Sequence, residues 1–66
     1  MIWDLEVRGC YAFHLYGGDK YTGRIELIDD DGTIVIWSKK LGEMEIKSTD
    51  CRFIEPSFDL KEIFKL

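Results

Sequence analysis

The sequence predicts an all-β domain, a small, strongly bent, five-stranded barrel with a short C-terminal helix. Three observations carry that expectation. Apolar and polar residues alternate with period two over short segments, as half-buried strands require. Turn signals at Gly17-Gly18-Asp19, Asp31-Gly32 and Leu41-Gly42 separate those segments. A glycine, Gly23, stands inside the second segment, where it marks a bend or a close backbone approach.

Sixty-six residues make one domain, 1–66, whose core is small enough that edge pairing, an added helix or neighbouring subunits must supply part of the burial. A 45% hydrophobic and 14% aromatic composition is that of a folded chain, since disordered segments are poor in both. Thirteen acidic against nine basic residues leave a formal charge of −4, which opposes nucleic-acid binding through charge alone. The longest apolar run, Ile34-Val35-Ile36-Trp37, is far short of a membrane span. With no leader pattern at the N-terminus, a cytoplasmic location without membrane contact is expected.

Residues 1–6 carry Ile2, Trp3 and Leu5 among two acids and fit either a short strand or one helical turn. The first strand is expected over 7–16, with Val7, Gly9, Tyr11, Phe13 and Leu15 on one face. The second, 20–29, places Tyr21, Gly23, Ile25 and Leu27 against Thr22, Arg24, Glu26 and Ile28. The third, 33–38, is apolar on both faces and belongs at the centre or at an interface. The fourth, 43–48, turns Met44 and Ile46 inward against Glu43, Glu45 and Lys47, and the fifth, 51–55, is stopped by Pro56. A helix over 59–65 follows, with Asp59 and Glu62 in capping-box spacing and Leu60, Ile63 and Phe64 sharing a face.

Chemistry is harder to find. Counting Asp29 as the first position of a calcium loop puts Lys40 at the twelfth, where a glutamate is required, so the aspartate run reads as a turn. Cys10 and Cys51 form no CxxC pair and are expected as reduced thiols. His14 stands alone, and no serine or cysteine lies in a nucleophile motif. No catalytic residue, metal site or cofactor is therefore expected, and the chain does not read as an enzyme. Trp3, Tyr11, Tyr16, Tyr21 and Trp37 have the chemistry of base-stacking platforms, although core or interface packing is the commoner use of such rings.

One wider pattern joins these elements. Leu15, then Gly18 three positions on, Gly23 five further, Ile25 two later and Asp29 four after that reproduce the spacing of the first motif of Sm-like proteins. The chain resembles the Sm-like (LSm) superfamily over Cys10 to Pro56, and its short variable loop is similar to that of the bacterial RNA chaperones of the Hfq type. SH3-like barrels share the general layout. Two departures stand out: Thr33 replaces the family's asparagine, and Ser48, Thr49 and Asp50 replace the basic and glycine positions of the second motif. The resemblance implies a homo-oligomeric ring, built by pairing of strands four and five of neighbouring subunits, that binds single-stranded RNA at its inner loops. Asp29, Thr33, Ser48 and Thr49 would then face RNA, with Lys39 and Lys40 as candidate phosphate contacts. The alternative is a scaffolding module on the same barrel that engages a protein through its acidic surface or C-terminal helix.

Overall fold

The structure is a computed structural model and describes residues 5–58. Five strands, β1 (Cys10–Leu15), β2 (Lys20–Ile28), β3 (Thr33–Ser38), β4 (Gly42–Lys47) and β5 (Cys51–Pro56), form one antiparallel sheet in the order β4-β3-β2-β1-β5. The fold is thus a small, all-β, barrel-like one. The expected helix over 59–65 lies outside the described residues; among these, the helical element is a single 3-10 turn, Ser48–Asp50, between β4 and β5.

The sheet curls because β2 serves two neighbours in succession. Lys20 to Arg24 pair with β1, and Arg24 to Ile28 pair with β3. Gly23 sits at this handover. A Cβ there would stand 2.9 Å from the Trp37 carbonyl oxygen and 3.2 Å from Ile36 Cδ1, so only glycine lets β3 come this close. Of the two uses expected of Gly23, this is the close backbone approach.

The 3-10 turn draws the two ends of the curl together. Ser48 N donates to Gly32 O at 2.8 Å, and Tyr16 N donates to Asp50 O at 3.1 Å. Three residues therefore tie the β2–β3 loop to the β1–β2 loop. Inside lie Phe13, Ile25, Ile34, Ile36, Ile46 and Cys51, with Leu15, Ile28, Met44 and Ile54 packed at the rim. Full burial of a phenylalanine or isoleucine side chain contributes about 1.5–3 kcal/mol, which makes this set the main source of stability.

Several boundaries differ from expectation. Residues 7–9 are a turn, not the start of β1: Arg8 takes a positive φ of 74°, and Gly9 N donates to Glu6 O. Both Arg8 N and Gly9 O bond to Ile25, so two residues oppose one. In β2 the register shifts between Ile25 and Leu27, with Glu26 as the extra residue. The strict alternation predicted for β2 fails there: Leu27 turns outward at 49% exposure while Ile28 packs against the core. β2 ends at Ile28, β4 begins at Gly42 and ends at Lys47, and Pro56 is the last paired residue of β5. Proline is tolerated because β5 lies at an edge.

Candidate functional site

The β2–β3 loop and the 3-10 turn converge into one polar cluster. Asp29 N donates to Thr33 O at 2.8 Å and Gly32 N to Asp29 O at 3.1 Å, closing a tight hairpin. Gly32 has φ of 91°, and a Cβ on it would stand 2.8 Å from Ser48 Oγ. Asp31 Oδ1 accepts from Thr33 N at 2.9 Å, and that bond, with a lesser contribution from Lys47, holds its carboxyl below the usual range. Lys47 Nζ donates to Thr33 Oγ1 at 2.9 Å and lies 3.9 Å from Asp31 Oδ2.

Of the residues singled out in the sequence, Asp29, Thr33 and Ser48 meet in this cluster, and Thr49 stands exposed beside it. Lys39 and Lys40 do not join them. They follow the far end of β3, the six-residue strand that Thr33 begins, about 3.3 Å further along for each residue. The remaining motif positions are structural: Leu15 O accepts from Gly18 N in the β1–β2 turn, and Ile25 is core. Asp29, Asp30, Asp31 and Asp50 leave the cluster acidic, and its ammonium, Lys47, is already engaged.

Two side-chain groups were not singled out in the sequence. His14 stacks on Phe53 with ring centroids 4.0 Å apart, and its Nε2 lies 2.6 Å from Glu55 Oε2. Arg24 donates to both oxygens of Glu26, at 3.1 and 2.8 Å, and places its guanidinium 5.5 Å from the Trp37 ring centre. The arginine bond holds the Glu26 carboxyl below its ordinary value. His14 and Glu55 are 41 residues apart, so only the β1–β5 pairing reveals them.

The two cysteines occupy opposite ends of the β1–β5 ladder. Cys51 pairs at Leu15, whereas Cys10 O accepts from Ser57 N. Both are free thiols, and burial pushes that of Cys51 up. Among the described residues, no group of three His, Cys, Asp or Glu side chains is placed to hold a metal ion, and no helix is long and apolar enough to cross a membrane.

The two sheet edges differ in quality. β4 pairs with β3 without a register shift from Ser38–Gly42 to Thr33–Lys47 and contains no proline. β5 carries a shift between His14 and Leu15, with Arg52 as its extra residue, and ends in Pro56. Bulges and prolines blunt an edge against pairing, so β4 is the less blunted of the two. It exposes Glu43, Glu45 and Lys47 on one face and turns Met44 and Ile46 toward the core on the other. Comparison with protein-family models, with curated proteins and with solved structures returns no match for the chain.

Proposed function

We propose that the chain is a non-enzymatic protein-interaction module that engages its partner by strand addition at the β4 edge. The observation that supports this reading most is the contrast between the edges: β4 offers six residues in unbroken register, while β5 is bulged and ends in proline. Strand addition draws affinity from backbone hydrogen bonds and specificity from alternate side chains. A core this small gains from the added burial. The test is backbone-amide NMR during titration with extended ten-residue peptides of varied composition. Shifts concentrated at Gly42–Lys47 support the reading; shifts confined to other elements reject it.

A second reading has its own observation. The hydrogen bond from Ser48 N to Gly32 O brings together the two loops that would line the RNA pocket of an Sm-like ring. In that reading β4 pairs with β5 of the next subunit and Asp29, Thr33, Ser48 and Thr49 face single-stranded RNA. The acidic loop and the Lys47 bond to Thr33 weigh against it, because phosphate is repelled and the base-reading position is occupied from within. Labelled oligo-U and oligo-A, titrated at several salt concentrations alongside a measurement of oligomeric state, decide the matter. Salt-sensitive binding by a stable oligomer would put this reading ahead.

A further inference from the structure

We infer that the β4 edge selects an extended protein segment in which cationic side chains alternate with apolar ones. The inference rests on the interaction-module reading and adds the chemistry of the partner. An incoming strand continues the pleat, so its successive side chains fall alternately beside the two faces of β4. On one face they meet Glu43 and Glu45, which stand opposite Trp37 and Val35 of β3. Both glutamates are exposed, and neither has an ion-pair partner among the described residues. Lysine or arginine beside them forms cross-strand pairs of opposite charge, whereas an acidic segment meets like charge.

On the other face the incoming side chains meet Met44 and Ile46, opposite Ile36 and Ile34. Ile46 is buried, but Met44 is only partly covered at the rim of the core. An apolar side chain beside Met44 extends that core, and the flexible thioether adapts to its shape. Lys47, the third exposed residue on the charged face, is engaged by Thr33 and Asp31 and leaves the face acidic at Glu43 and Glu45. The segment is foreign rather than β5 of a second copy, since β5 is interrupted by its bulge and by Pro56.

The test compares three ten-residue peptides against the intact chain: one alternating lysine with valine, one alternating glutamate with valine, and one with the lysines and valines grouped rather than alternating. Affinity is read from the β4 amide shifts. The alternating lysine peptide should bind roughly 2- to 30-fold more tightly than its glutamate counterpart, the range expected of two cross-strand charge pairs. The double variant Glu43→Lys, Glu45→Lys should reverse the preference, and Glu43→Gln, Glu45→Gln, which keeps the side-chain shape, should abolish it. Equal affinity for both alternating peptides would overturn the charge selectivity while leaving strand addition standing. Equal binding of the grouped peptide would reduce the effect to general attraction and also overturn the inference. Failure of all three to perturb β4 would remove the interaction-module reading along with it.

Discussion

Lys47 reaches across the β3–β4 ladder and donates a hydrogen bond from Nζ to Thr33 Oγ1 at 2.9 Å. Thr33 is buried and Lys47 exposed, so the bond anchors a surface ammonium on an interior hydroxyl. Replacing Thr33 by valine keeps the shape and removes the acceptor. Thr33→Val should lower stability by about 1 kcal/mol, in the range of a net intramolecular hydrogen bond, as read from urea unfolding. An unchanged midpoint would show that Lys47 finds an equivalent partner at no loss.

Gly23 and Gly17 make a matched pair of glycine tests. At Gly23 a methyl group would lie 2.9 Å from the Trp37 carbonyl oxygen, a backbone atom that cannot yield without moving β3. Gly23→Ala should destabilise the fold by about 1–3 kcal/mol through overpacking. At Gly17 nothing lies within 4 Å, and φ is not in the left-handed region. Gly17→Ala should be neutral or stabilising by up to about 1 kcal/mol, because it restricts the unfolded chain. Thermal or urea melts of the two variants check the contrast.

The depressed carboxyl of Asp31 gives a pH dependence with a definite sign. Its folded-state pKa lies below its unfolded value, chiefly because the Thr33 amide bonds the ionised form. The stability it contributes is therefore present above the unfolded pKa, about 3.9, and is lost as pH falls through the folded one. Asp31→Asn should melt below wild type at neutral pH, and the gap should narrow as pH drops below about 4. A gap that stays constant from pH 7 to pH 2 would rule out this linkage.

The two thiols should separate in reactivity. Cys51 is buried, its Sγ donates to Lys47 O at 3.6 Å, and burial raises its pKa, so little thiolate forms. Cys10 is only half-buried. Alkylation of the native protein should modify Cys10 first and Cys51 only on unfolding, as followed by mass spectrometry of peptides. Equal rates in the native state would contradict the burial of Cys51.

Much of the fold was legible because it is written in short-range patterns. Met44 to Lys47 alternate as a half-buried strand must, and Gly18, Gly32 and Gly42, all at positive φ, announce three hairpins. The candidate site was legible only in part. Asp29, Thr33 and Ser48 do meet, but Lys39 and Lys40 end up at the far end of β3, because the chain reverses direction at every hairpin. Spacing along the sequence says nothing about which end of a sheet two loops share.

By itself, then, the sequence determined the class, the number and rough extent of the strands, and the position of the close approach at Gly23. Those follow from local sterics and from period-two burial, which each segment carries within itself. Only the tertiary structure decided that Leu27 points outward, that His14 meets Phe53 and Glu55, and that Lys47 occupies Thr33. It also decided that β4 is the intact edge and β5 the blunted one. The reason is physical: each depends on which residues two strands set side by side, and a register exists only between two strands; at Glu26 and Arg52 a single extra residue also shifts it.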